Sequence, residues 1–274
     1  MRRFVTLDLE TVPDEALVSA VDGEPTRPYP EQLRRVLDER RARTGGRSDF
    51  LPLPYHRPVA ACLLEAVEDG GVMRIADVLA WTDRRGDEAL FLERTWERLE
   101  GAVLVTFHGK GFDLPVLELR SLKHAIPTPA WFSGARRPGA MDHFDVKEIL
   151  SAPASGGAAP LDLYAKLVGL PGKEDVAGED VQALYAAGAL DRIAAYCMTD
   201  VVQTYLLFLR CRLVDGSLTP DGYAESAALA RAALPALFAR RLPASERSAL
   251  DGFLGRCAPF FGVAEPAHAR LRSG

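Results

Sequence analysis

The stretch Phe4-Val5-Thr6-Leu7-Asp8-Leu9-Glu10-Thr11 constrains this chain more than any other. Its apolar lead-in reads as a buried strand, and residues two apart on a strand share a face. Asp8 and Glu10 therefore present two carboxylates side by side against buried structure. Like charges held that close repel unless a cation lies between them. Hard divalent ions such as Mg²⁺ favour oxygen donors of this kind. Taken alone, an acid-x-acid pair after a strand is common and favours a solvated acidic face; two further stretches reverse that preference.

The chain has 274 residues, enough for one large domain or one domain with an appendage. With 48% apolar and 26% charged residues it has the balance of a water-soluble globular protein. The net charge of -5 advertises no global basic field for nucleic acid, although a local groove can be basic while metal ions neutralise acids. The cysteines Cys62, Cys197, Cys211 and Cys257 form no C-x-x-C pair and no zinc spacing, and the first three lie in apolar patterns as small core residues. Arg2 and Arg3 are followed by acids rather than by a signal-peptide core, and no apolar run reaches membrane-spanning length. The expectation is a cytoplasmic protein with no membrane association.

Taken in order, the first strand runs to about Glu10 and is broken by Thr11-Val12-Pro13; a short helix follows through Val18. Residues 22–58 form a Pro-, Gly- and Arg-rich insertion, partly mobile, with a helix over Pro30 to Arg43. Its arginines, Arg34, Arg35, Arg40, Arg41, Arg43 and Arg47, suit a solvated face or phosphate contacts. Pro52, Pro54 and Pro58 exclude a regular element just after it. Val59 to Val67 and Val72 to Trp81 read as strands of a hairpin turning at Gly70-Gly71. Gly86 to Leu99 is an amphipathic helix, and Val103 to Phe107 a strand buried on both faces. Asp113 is placed as the N-cap of a helix reaching about His124. A loop with Arg136 and Arg137, a strand within Met141 to Val146 and a short helix to Leu150 come next. Ser151 to Pro160 reads as a flexible loop. Helices follow at Leu161 to Val168, with Asp162 as its cap, Glu179 to Ala187 and Leu190 to about Val214. The tail is helical from Thr219, broken at Pro235 and Pro243. Gly169 to Lys173 lacks the G-K-[ST] and the preceding strand of a phosphate loop. The fold class is α/β with a mixed sheet, the hairpin giving antiparallel strands and the helical crossovers parallel ones.

The second decisive stretch is the buried strand, loop and Asp113, because the carboxyl-end rim of an open α/β sheet is where ligands bind. The third is Tyr196-Cys197-Met198-Thr199-Asp200, whose Tyr and Asp share a helix face. Together Asp8-x-Glu10, Gly109-Lys110-Gly111-Phe112-Asp113 and Tyr196-x-x-x-Asp200 resemble the three motifs of the tyrosine-bearing (DEDDy) branch of the DEDD exonucleases. More narrowly, Leu7 to Thr11, Gly111 to Leu117 and Tyr196 to Tyr205 are similar to the predicted 3′–5′ exonucleases akin to the proofreading domain of family B DNA polymerases. The resemblance covers residues 1–213, which it makes the exonuclease domain; 214–274 is a helical C-terminal extension matched by no motif.

The resemblance implies a ribonuclease H-like, five-stranded mixed sheet flanked by helices, and hydrolysis of mononucleotides from a 3′ end. It assigns Asp8, Glu10, Asp113 and Asp200 to metal binding and Tyr196 to orienting the attacking water. It departs from the family pattern at His108, where relatives usually carry Asn. Two Mg²⁺ or Mn²⁺ ions, roughly 3.5–4 Å apart, suit hydrolysis of an anionic phosphodiester. Leu9, Thr11 and Phe112 are expected against the terminal nucleotide, with His108 and Lys110 as further substrate contacts. Arg120, Lys123, Arg136 and Arg137 are candidates for phosphate; Asp142, His143 and Asp145 read as structural. The substrate is single-stranded DNA or, in a sister reading, RNA, with a polymerase or repair protein as a possible partner and the oligomeric state open. The reading from another class is a nuclease-like scaffold that binds nucleic acid or a partner without cleaving.

Overall fold

In the computed structural model, residues 1–84, 86–128, 142–151, 159–173 and 181–262 are described. A five-stranded sheet has the order β3-β2-β1-β4-β5. Its strands are β1 (Arg2–Pro13), β2 (His56–Asp69), β3 (Val72–Thr82), β4 (Val103–Thr106) and β5 (His143–Asp145). β1 pairs antiparallel with β2 and parallel with β4, and β5 runs parallel to β4. β2 and β3 pair antiparallel through the two-residue turn Gly70-Gly71, where both residues have positive φ. This is the mixed, helix-flanked, ribonuclease H-like sheet that the motifs imply.

β1 does not stop at Glu10. A bulge between Glu10 and Thr11 absorbs the break, and pairing with β2 continues to Pro13. Pro58 is likewise taken into β2, opposite Thr11 at that bulge.

Helices cover both faces. Val5, Leu7 and Leu9 of β1 pack under α3 (Glu88–Leu99) and α4 (Asp113–His124), through Phe91, Leu92, Leu114 and Leu117. Phe4 and the facing residues Cys62 and Leu64 of β2 pack instead under the long α8 (Leu190–Val214). The strand's period of two thus separates two cores, and Asp8 and Glu10 fall on the α8 side.

The 22–58 segment carries a helix and packs against the one before it. α1 (Glu15–Asp22) and α2 (Tyr29–Arg43) bury Val18 and Val36 with Leu51 in a small cluster of their own. Four of its arginines are tied into that fold: Arg35 pairs with Asp22, Arg41 with Asp49, Arg43 with Glu39, and Arg40 donates to the Phe50 carbonyl. A single 3₁₀ turn, Leu53–Tyr55, fits between the prolines.

Short helices α5 (Val146–Leu150), α6 (Leu161–Leu167) and α7 (Val181–Ala186) complete the α8 side. The tail forms α9 (Pro220–Arg241), α10 (Ala244–Arg256) and α11 (Ala258–Gly262). α9 is not broken at Pro235, which lies inside it. Leu234, Leu237 and Phe238 are buried around that point, and their packing outweighs the lost backbone hydrogen bond. The β3 edge is covered by the same helix: Ser226 Oγ accepts from the Met73 amide at 2.8 Å and Arg241 Nε donates to the Val78 carbonyl at 3.0 Å. Among the described residues no helix is long and apolar enough to cross a membrane.

Candidate active site

Three separated segments bring four carboxylates together. β1 turns Asp8 and Glu10 toward α8, which carries Tyr196 and Asp200 one turn apart. Asp113 opens α4 but does not cap it. The cap position is Phe112, and Asp113 Oδ1 instead accepts from the Leu9 amide at 3.0 Å, across 104 residues of chain. That bond holds the second segment against the first, between the two β1 acids.

The electrostatics record the same convergence. Burial is the main cause that pushes Asp8 and Glu10 well above the usual carboxylate range. Asp200 and Asp113 add repulsion at Asp8; Asp8, Asp200 and Asp113 add it at Glu10. Burial pushes Asp113 up to about 7, opposed by the backbone amides that hydrogen-bond its anion. Asp200 is raised by burial and restrained by Lys173. Buried acids that resist shared ionisation are relieved by an added cation.

The donor set is rich in oxygen. Asp8, Glu10 and Cys197 offer ligand atoms within 4.8 Å of one another. The Cys197 thiol is pushed up by burial, and Sγ donates to Asp8 Oδ2 at 3.3 Å and to its carbonyl at 3.4 Å. A neutral thiol that donates leaves the carboxylate oxygens as the available donors, and oxygen donors are the kind that hard divalent cations favour.

Lys173 joins the site although sequence reasoning passed over it. Nζ donates to the Tyr196 hydroxyl at 2.6 Å and pairs with Asp200 Oδ2 at 3.1 Å, and Tyr196 also hydrogen-bonds Asp200. Burial opposes the ammonium charge, but Asp200 and Tyr196 overcome it and keep Lys173 protonated. Asp162, read as a helix cap, does a different job: its Oδ1 accepts from the Lys173 amide at 2.7 Å, while Pro160 occupies the cap. The Gly172 amide donates to Gln203 Oε1 at 2.7 Å, tying the same turn to α8. Lys173 follows the positive-φ Gly172, a turn signal that marks a bend without saying what the next side chain reaches.

The loop before Asp113 is built as tightly. His108 has φ +70, a left-handed conformation for which Asn, Asp and His are enriched among non-glycines. A Cβ on Gly109 would meet the Thr106 side chain at 2.5 Å, and one on Gly111 the His108 ring at 2.5 Å. Asp145, at the end of β5, accepts from the His108 amide at 2.8 Å and the Lys110 amide at 3.0 Å. His143 meets Thr106 Oγ1 at 2.8 Å, and Asp142 pairs with Arg2 at 2.5 Å. All three residues of that cluster are structural ties.

Other expected contacts divide. Thr11 is half-buried near the acids, with Oγ1 at 2.9 Å from His56 Nδ1. Phe112 is half-buried in an aromatic group with Phe50 and His56. His108 is exposed beside the site, and Lys110 pairs with Glu148 at 2.6 Å. The Leu9 side chain, expected against a base or sugar, lies in the core on the opposite face, because the alternation that aims Asp8 and Glu10 at α8 aims it away. Arg120 is buried, bound to Glu88 and Asp14, and Lys123 pairs with Asp14 at 2.7 Å; these charges answer protein acids rather than phosphate. Arg136 and Arg137, and most of the 151–160 loop, lie outside the described residues.

A family model described as a predicted 3′–5′ exonuclease related to the exonuclease domain of PolB matches residues 48–254. A search of curated proteins returns no match.

Proposed function

Since the chain belongs to the family of predicted 3′–5′ exonucleases related to the exonuclease domain of PolB, we propose that it releases mononucleotides from the 3′ end of single-stranded DNA. Asp8, Glu10, Asp113 and Asp200 would hold a pair of divalent cations. The observation that carries this reading is the meeting of those acids, from three segments, beside the Tyr196 hydroxyl. When bound, such cations supply a water of lowered pKa and neutralise charge on the attacked phosphate and the leaving oxygen.

The chain's own groups position and hold charge. Burial pushes the Tyr196 phenol above its ordinary value, so it keeps its proton at neutral pH and orients the water rather than deprotonating it. Lys173 donates into the Tyr196 oxygen, which leaves the phenolic proton directed toward Asp200 and fixes the hydroxyl. The Lys173 ammonium also adds a fixed positive charge where phosphate charge develops. Asp145 holds the loop that presents Asp113 and His108. The Thr11 hydroxyl, His108 and Phe112 stand beside the acids to contact the terminal nucleotide. Residues 1–213 form the hydrolytic unit in this reading, and 214–262 brace it: α10 lines, with Lys173 and Tyr196, a cavity of about 300 Å³.

The test is incubation of 5′-labelled single-stranded DNA and RNA of one sequence with Mg²⁺ or Mn²⁺. The expected outcome is stepwise shortening from the 3′ end with release of 5′-mononucleotides, faster on DNA. Faster shortening of RNA would move the substrate to RNA. Strands left intact by folded protein with either metal would remove the nuclease reading.

A further inference from the structure

Three rings meet beside the segments that carry Glu10 and Asp113. The His56 centroid lies 4.9 Å from Phe50 and 4.9 Å from Phe112, edge-on to the latter, and Phe50 and Phe112 are 5.9 Å apart. The group touches the acids at two places in sequence. Phe112 directly precedes Asp113, and His56 is hydrogen-bonded to Thr11, which directly follows Glu10.

The His56 ring is fixed. Nε2 lies 3.0 Å from the Leu51 carbonyl, which can only accept, so Nε2 carries the proton and Nδ1 accepts from the Thr11 hydroxyl. The backbone of Phe50 is fixed as well: its amide donates to Ser48 Oγ at 3.1 Å and its carbonyl accepts from Arg40 Nε at 2.9 Å. Its neighbour Leu51 is anchored in the α1–α2 cluster. Phe50 itself is nevertheless 54% exposed. A held aromatic ring, open to solvent and next to a site for an anionic strand, has the features of a base-stacking surface. Ring stacking is tolerant of base identity because each base has a π face.

Resting on the exonuclease reading, we propose that Phe50, backed by His56 and Phe112, is a stacking platform for the nucleobase at the 3′ end of the strand. The 22–58 segment then supplies part of the substrate site, with the phosphate lying toward the acids and the base on the rings.

The experiment measures binding by fluorescence anisotropy in Ca²⁺, using labelled oligothymidine whose last two nucleotides are either intact or abasic. The wild-type protein is expected to bind the intact strand about tenfold more tightly than the abasic-ended one. Phe50→Ala is expected to bind the intact strand about tenfold more weakly and to lose the distinction between the two. Phe50→Trp restores both. If folded Phe50→Ala, judged by circular dichroism, keeps the wild-type ratio, the platform is overturned while the nuclease reading stands. If the wild-type protein binds neither strand and releases no nucleotide from DNA or RNA, the nuclease reading fails and the platform falls with it.

Discussion

Tyr196 is buried to 7% exposure, yet its hydroxyl is anchored by a lysine and an aspartate rather than by backbone. Such an arrangement directs a hydroxyl without charging it. Tyr196→Phe is therefore expected to leave Mn²⁺ affinity nearly unchanged by calorimetry while lowering the hydrolysis rate about tenfold or more, the scale of one well-aimed hydrogen bond in a transition state. Equal rates for the two proteins would take the role from Tyr196. Lys173 sits on the same two groups, so loss of either residue is expected to be non-additive with loss of the other.

Arg120 joins elements that share no strand. Its guanidinium binds Glu88 of α3 and Asp14, whose carboxylate caps α1, and His124 at the end of α4 meets Glu88 at 2.9 Å. Burial works against both acids, but hydrogen bonds from Lys123 and Arg120 carry Asp14 well below the usual carboxylate range, and Arg120 and His124 lower Glu88. Removing Arg120 takes away the partner the two acids share, leaving Asp14 with Lys123 and Glu88 with His124 and Arg57. Arg120→Met is expected to destabilise by about 1–3 kcal/mol in denaturant titration. Because both acids are depressed in the folded state, their contribution is present above the unfolded carboxylate pKa, near 4, and is lost as pH falls below it. The variant's deficit should accordingly shrink in acid. A deficit that stays constant with pH would mean the loss is one of packing alone.

The molecule as a whole carries the opposite dependence at its centre. Asp8, Glu10, Asp113 and Asp200 are raised in the folded state, Asp113 to about 7. Between the unfolded value near 4 and the raised folded value, the unfolded chain binds fewer protons, so stability falls as pH rises through that window. A divalent cation held by these acids would take the place of the protons and remove the penalty. Thermal melts in EDTA are expected to show a melting temperature that declines from pH 5 to pH 7.5, and Mn²⁺ is expected to raise it most at the upper end. Asp8→Asn should melt higher than wild type in EDTA and gain little from Mn²⁺. A melting temperature indifferent to metal across this range would contradict the site.

Much of this was legible in the chain before folding. Asp8, Glu10, Asp113, Tyr196 and Asp200 could be picked out because three spaced motifs together resemble those of a known family, while strand alternation and helix spacing alone only place the acids on shared faces; the hairpin at Gly70-Gly71 and the long α8 follow from local signals. What tertiary structure alone decided is where each side chain finds its partner. Pro235 stays within a helix because its neighbours are buried. Arg120, Lys123 and, within the 22–58 segment, Arg35, Arg41 and Arg43 pair with protein acids. Asp113 bonds β1 rather than its own helix, and Lys173 reaches Tyr196 and Asp200 from a turn that local rules leave blank. Periodicity fixes the face on which a residue stands; only the packing of distant segments fixes what it faces, because those contacts depend on the whole path of the chain between them.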